Sequence, residues 1–352
     1  MTTKYLDDLE SRIDADGEAA VLEQWKRFLN DEIKTGVFSP VRPYRAPAKT
    51  EWPRITVNTA INDFDQMLLA QLVGCSGSVE HGGAGRILDV RANYGTGILS
   101  SVFGAKIFWM DDALDTLPTS EPIPGGADAI KRLLDAGIPD LDAGFGGRTL
   151  EMGRRFVAAF APYPNISKWV RIYHPDIQGP MDVAELVWGS SIFYELVDQP
   201  ELAHDFLELV TQTYIKYLRA WNAIVAPAAD GVASHWGLLH KGAIMLRDDS
   251  AMNLSGEMFE EFVRPYDQRL LDEFGGGAIH FCGHGDHFVP SLTQMRGLYS
   301  INMSQPHLND MERIYQHTVD KGVTIIGFDS RHADKALAAG RDLRGRVQVH
   351  VW

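Results

Sequence analysis

The sequence is poor in cysteine, in basic residues and in long apolar runs, and each shortage closes off a class of function. Two cysteines among 352 residues, Cys75 and Cys282, cannot build a disulfide framework, so the expected compartment is a reducing one, the cytoplasm. Lys and Arg total 33 against 47 Asp and Glu, a formal net charge of −14. No cluster of five or more basic residues breaks that balance. A surface this acidic repels phosphate backbones and anionic lipid heads, which argues against nucleic-acid and membrane partners. No apolar run approaches the ~18 residues of a membrane span. The acidic opening from Met1 to Asp8 is unlike a targeting peptide.

What is present is ordinary for a globular chain: 45% apolar and 23% charged residues. Residues from Leu6 to Ile33 carry helical apolar spacing, and Gly17 is expected to divide them into two helices. A proline-rich wrapping segment, Thr35 to Pro53, follows. Short β-like runs then alternate with helical stretches. Expected strands include Arg54–Asn58, Ala105–Met110, Trp169–His174, Asp230–Trp236, Ala278–Gly283, Leu298–Met303, Val323–Asp329 and Val347–Val351. Expected helices include Asn62–Leu72, Ala127–Ala136, Leu150–Ala161, Val183–Val225 with a break near Pro200, Gly256–Phe274, Met311–Val319 capped by Asn309, and Ala333–Ala339. About eight strands alternating with helices, without a Gly-rich dinucleotide fingerprint, predict an α/β fold: a single (β/α)8 TIM barrel. An N-terminal helical extension, residues 1–50, would precede the barrel, residues 51–352. Active sites of such barrels lie past the C-terminal ends of the strands, where candidates are sought.

The segment Ala278-Ile-His-Phe-Cys-Gly-His-Gly-Asp-His is the most informative. His280 and Cys282 stand two apart on a strand, so their side chains leave one face. Imidazole and thiolate suit a tetrahedral zinc site. The ordinary alternative is a core strand with a packed cysteine and a hydrogen-bonded histidine.

Ile279-His-Phe-Cys-Gly resembles the His-x-Cys-Gly strand of the uroporphyrinogen decarboxylase superfamily, which includes corrinoid-dependent methyltransferases. Gln178-Gly-Pro-Met-Asp-Val-Ala is similar to that family's Gly-Pro strand end. Ser255-Gly-Glu-Met-Phe-Glu-Glu-Phe-Val-Arg-Pro-Tyr is similar to its Ser-Pro-Glu-x-Phe-Glu-Glu-Phe-x-x-Pro-Tyr helix, and Tyr94-Gly-Thr-Gly through Val102-Phe-Gly-Ala to a loop of its relatives. The similarity runs from about residue 54 to the end and implies a (β/α)8 barrel. The decarboxylases carry an arginine-rich Arg-Gln-Ala-Gly-Arg segment. The corresponding Thr56-Val-Asn-Thr-Ala-Ile-Asn has no arginine, which disfavours a porphyrinogen substrate. The methyltransferase branch binds zinc through His-x-Cys and a later cysteine. Here His280 and Cys282 match, but no cysteine follows. The resemblance therefore implies a Zn2+ site completed by His350, with His284 and His307 as other recruits, or a site that has been lost.

The implied function is a zinc-assisted, corrinoid-dependent methyltransferase acting on a small methylated compound. Its corrinoid would come from a carrier protein, since no Asp-x-His-x-x-Gly motif occurs, and the chain would pair as a homodimer. Two alternatives stand beside it: a decarboxylase of a pyrrolic or conjugated acid, with Asp89 stabilising a protonated intermediate, and a metal-free binding barrel. Asp89 and His240 are the expected catalytic groups, His240 because an imidazole near Asp248 and Asp249 can do acid–base work. Arg91, Asn93, Tyr94, Gln178, His235, Trp236 and Asn302 are expected to bind substrate, Trp236 by stacking.

Overall fold

The computed structural model describes residues 2–350, with His350 described by its backbone alone. Aliphatic runs buried on both faces create the central strands: Ile244–Arg247 (β1), Gly277–Phe281 (β2), Leu298–Met303 (β3), Thr324–Asp329 (β4) and Val347–His350 (β5). Near-continuous burial of that kind belongs to a parallel sheet covered by helices. The five strands pair in chain order, all parallel. Asp89–Val90 forms a separate parallel pair with Arg171–Ile172. The fold is thus α/β with a parallel sheet. The expected closed ring of eight strands does not emerge as one continuous ladder among the described residues. Backbone bonds do continue past both edges: Phe38 exchanges bonds with Val347 and Val349, and Gly179 donates to the Arg247 carbonyl.

Period-two alternation sorts the strand residues. Ile244, Leu246, Ile279, Phe281, Ile301 and Met303 face the helical layer within the main core. On the other face, Met245 and Ala278 lead up their strands to Arg247 and His280, and Ser300 leads to Asn302. The register places Arg247, His280 and Asn302 side by side. This second face has an apolar floor and a polar mouth. Met245, Ala278 and Ile326 pack there with Leu238 and Leu239 of a hairpin, Val232–His235 with Leu238–Lys241, and with Val21, Trp25 and Phe28.

Those last three residues lie on the second of two N-terminal helices, Thr3–Arg12 (α1) and Ala15–Leu29 (α2). The helices share cores with the strand region: Leu6, Leu9 and Ile13 join the main core, and Trp25 donates to the Gly85 carbonyl (2.7 Å). The break between them falls at Asp14, whose carboxylate accepts from the Asp16 and Gly17 amides, and not at Gly17. Gly17 lies inside α2, at a position where a Cβ would strike the Tyr44 ring.

Other local expectations shift for definable reasons. Arg54–Asn58 is no strand: the Thr56 hydroxyl accepts from the Thr59 amide and starts a helix, Val57–Asn62. The expected helix Gly256–Phe274 is two, Gly256–Phe262 and Arg264–Phe274, because Pro265 lacks an amide donor and clashes with the preceding turn. Asp310, not Asn309, caps Met311–His317. The loop expected after Trp236 is instead the return strand Leu238–Lys241, followed directly by β1. Val351 lies outside the described residues. No helix among the described residues is long and apolar enough to cross a membrane.

Candidate metal centre and its surroundings

The row Arg247–His280–Asn302 is the foundation of the site. Asn302 donates Nδ2 to the Ile326 carbonyl (2.7 Å), which turns its amide oxygen toward His280 Nδ1, 2.6 Å away. An amide oxygen only accepts, so Nδ1 carries the proton and Nε2 the lone pair. Nε2 lies 3.4 Å from Cys282 Sγ and 3.5 Å from Asp249 Oδ1. The Cys282 amide donates to the same Asp249 oxygen (2.7 Å), and Ser304 Oγ stands 3.4 Å from the sulfur. Zinc bonds of about 2.0–2.3 Å place neighbouring donors about 3.3–3.6 Å apart at the tetrahedral angle. Both edges at His280 Nε2 fall in that range, and all three donor atoms lie within 4.8 Å of one another, so nitrogen, sulfur and carboxylate donors are grouped as a metal ion would require.

The electrostatics fit the same donors. Burial holds His280 below the usual imidazole range, hence neutral and able to ligate. Burial, reinforced by the Asp249 charge, pushes the Cys282 thiol up to about 11. A cation would reverse that preference and favour the thiolate. His280 is buried, while Asp249 and Cys282 are only partly so, leaving the group approachable from one side.

A second layer is built on Asp176. Arg91 Nη1 lies 3.1 Å from one of its oxygens and Arg247 Nε 3.2 Å from the other. Gln178 donates to it as well. Burial raises the Asp176 carboxyl, but the two guanidiniums outweigh burial and hold it below its ordinary value. Arg247 donates Nη1 to the Met245 carbonyl (2.6 Å), whereas Nη2 has no partner. Its guanidinium lies 5.0 Å from the ring centre of Trp236, which meets His280 edge-on at 5.2 Å. Gln178 and Trp236 both hold left-handed backbone, φ +56° and +54°. Non-glycine residues adopt it at a cost of about 1–3 kcal/mol, so these turns are paid for by their surroundings. Gly179 makes the first turn feasible: a Cβ there would lie 2.6 Å from both the Arg247 carbonyl and Asp248 Oδ1.

Several expected site residues meet here: Arg91, Gln178, Trp236, His280, Cys282 and Asn302. Asp89 borders them, accepting the Gly237 amide beside Trp236 (2.8 Å), and burial pushes its carboxyl up to about 7. Others do not join. Tyr94 packs on Phe145 (5.3 Å) with Arg148 above it, facing the helix Phe145–Phe160. Asn93 keeps a buried side-chain oxygen without a partner.

His240 is held away from acid–base work: its Nδ1 donates to the Lys241 carbonyl (2.9 Å) and its Nε2 accepts from His235 Nδ1 (2.8 Å). Burial lowers His240 to about 4 and His235 well below the ordinary value, so both rings are neutral. His284 groups with Asp286 and His287, apart from Cys282, and His307 is exposed on a short turn. The side chain of His350 lies outside the described residues.

Three residues of the site escaped the sequence reading: Asp249 as a donor, and the pair Asp176 and Arg247. Arg247 ends a strand that the alternation did not reveal, and Asp249 follows it. Asp182 pins that segment by accepting the Asp249 and Ser250 amides (3.0 and 2.7 Å). A cavity of about 1110 Å³ is lined by Arg171, His174, His235, Lys241 and Tyr299 and by none of the three donors, Asp249, His280 and Cys282.

Residues 177–328, a span that includes Asp249, His280, Cys282 and Asn302, match the model of the family described as Uroporphyrinogen decarboxylase (URO-D). No curated protein matches the chain. Among solved structures, a methyltransferase from Methanosarcina mazei is similar with a TM-score of 0.62 at 15% identity, covering 93% of this chain and 92% of that one. At that identity the likeness establishes a shared fold. The matched segment, residues 177–328, is less than half of the chain, and over that segment the protein is similar to the uroporphyrinogen decarboxylase (URO-D) family.

Proposed function

We propose that the protein is a zinc-assisted methyltransferase that works with a corrinoid carried by a separate protein and acts on a small methylated compound. Proteins of this family are enzymes, decarboxylases or methyltransferases. The observation that carries the reading is the donor triangle of Asp249, His280 and Cys282, with edges of 3.4 and 3.5 Å and the His280 lone pair aimed into it. The fold shared with an archaeal methyltransferase supports it further. Zinc, when bound, supplies Lewis acidity toward the heteroatom that bears the methyl group or toward an acceptor thiol.

The chain's own residues do the remaining work. Asn302 fixes the His280 ring. Arg247, with an unpartnered Nη2 beside Asp176, offers a cation to an anionic group of the substrate. Trp236 presents an aromatic face between that cation and His280. Asp89, with a carboxyl near neutrality, can hold or release a proton at the edge of the site.

The test is zinc analysis of protein purified without chelator, followed by methyl transfer to free cobalamin. The reading expects a zinc equivalent that Cys282→Ala, His280→Ala and Asp249→Ala each remove. Zinc content unchanged by the first two substitutions overturns it. One observation favours a second reading: Asp89 can be protonated near neutral pH within reach of Arg91, an arrangement suited to decarboxylating a conjugated acid. Activity that survives complete metal removal and is lost in Asp89→Asn selects that alternative.

A further inference from the structure

Beyond Cys282 the chain turns through Gly283, His284, Gly285, Asp286 and His287 before the short helix Val289–Leu292. This turn is held firmly. The Gly283 amide donates to Gln305 Oε1 (2.6 Å), and the Gly285 and Asp286 amides donate to Asn309 Oδ1 (2.7 and 3.1 Å). Asn309 donates back to the Gly283 carbonyl (3.0 Å), and Asp286 Oδ2 accepts the Asp310 amide (2.6 Å). The bonds leave three side chains together on one preorganised turn. His284 Nε2 lies 2.8 Å from Asp286 Oδ1, and the two histidine rings stack at 4.9 Å.

The informative atom is His287 Nδ1. The other nitrogen of that ring, Nε2, lies 2.8 Å from the Leu254 carbonyl oxygen. A carbonyl only accepts, so Nε2 carries the proton and Nδ1 is left with a lone pair. Nδ1 is buried and has no partner. A buried acceptor left bare is costly and calls for an explanation, and a bound ion is one that the neighbouring His284 and Asp286 supply donors for. One donor atom from each of His284, Asp286 and His287 lies within 4.8 Å of the others.

We infer that His284, Asp286 and His287 form a second metal site, distinct from the Asp249–His280–Cys282 group, which takes a divalent transition ion of the zinc or cobalt type. Two imidazoles and a carboxylate are borderline donors that favour such ions over magnesium or calcium. Three protein ligands leave a further position open to water or a small anion. The Leu254 carbonyl orients His287 in the way an outer partner orients a metal-bound histidine. Binding replaces the His284–Asp286 hydrogen bond and ties the turn together through three side chains.

The experiment titrates the metal-stripped full chain with cobalt(II), read by calorimetry and by absorption. Two equivalents are expected in the parent protein. His287→Ala and Asp286→Asn should each lose one equivalent and keep the thiolate-to-cobalt charge-transfer band. Cys282→Ala should lose that band and keep the other equivalent. If His287→Ala and Asp286→Asn bind as many equivalents as the parent, the second site is overturned. A single equivalent that depends on His287 and not on Cys282 upholds the second site while rejecting the first. Unchanged circular dichroism and melting in His287→Ala, measured without metal, confirm that a lost equivalent reflects lost ligation.

Discussion

Asn302 determines which nitrogen of His280 can ligate: its amide oxygen sits 2.6 Å from Nδ1 and leaves Nε2 facing Cys282 and Asp249. The amide cannot flip without breaking its own bond to the Ile326 carbonyl. Asn302→Leu keeps much of the volume and removes the acceptor. Loss of an outer partner of this kind weakens metal binding about 10- to 100-fold. Competition with a chromophoric chelator measures the change, and an unaltered affinity would show that His280 needs no such orientation.

The strand leading from His280 to Cys282 is the most legible part of the chain. Two-residue spacing alone put His280 and Cys282 on one face, and they lie together there. What the spacing could not show was their partner from another strand. Asp249 comes from the end of Ile244–Arg247, a four-residue strand whose neighbours Gly242 and Asp248 read as loop, and register joins it to His280 only across the sheet. Helices with strong apolar stripes were easily read; their ends were less so. Thr56 began a helix where alternating Ile55 and Val57 suggested a strand, because one hydroxyl bond to the Thr59 amide outweighed local β preference. His240 looked available because sequence does not reveal that both of its nitrogens are already bonded.

That bonding gives His240 a testable consequence. In His240→Ala, the His235 Nδ1–H loses its acceptor inside the protein. An unmet buried donor lowers stability by about 1–3 kcal/mol. Urea unfolding should register the loss while zinc content stays unchanged. Undiminished stability would return His240 to the list of residues free for chemistry.

Asp89 should make stability depend on pH with a definite sign. Its carboxyl is pushed from 3.8 to about 7 in the folded protein, chiefly by burial. Between those values the native state holds a proton that the unfolded chain has released, so rising pH favours unfolding. The contribution is intact below 3.8, is lost as pH climbs to about 7, and is constant above. Asp89→Asn keeps an oxygen for the Gly237 amide and cannot ionise. The variant should therefore gain stability relative to the parent across that window, by at most about 4 kcal/mol. Denaturant midpoints at a series of pH values provide the comparison, and parallel curves would contradict it.

Asp176 lies between two buried guanidiniums, with Arg91 at 3.1 Å and Arg247 at 3.2 Å. Asp176→Ala leaves both cations facing each other without compensation, and breaking a buried ion pair from one side destabilises by about 3–5 kcal/mol. Replacing all three with apolar residues of similar size, Arg91→Met, Asp176→Leu and Arg247→Met, removes the charges together and should recover most of that stability. The triple variant should nevertheless fail to bind an anionic ligand at the Trp236 face, because the cation at Arg247 is gone. Chemical denaturation of the single and triple variants tests the ordering. A single variant as stable as the parent would mean that the guanidiniums reach solvent and that Asp176 does not hold them.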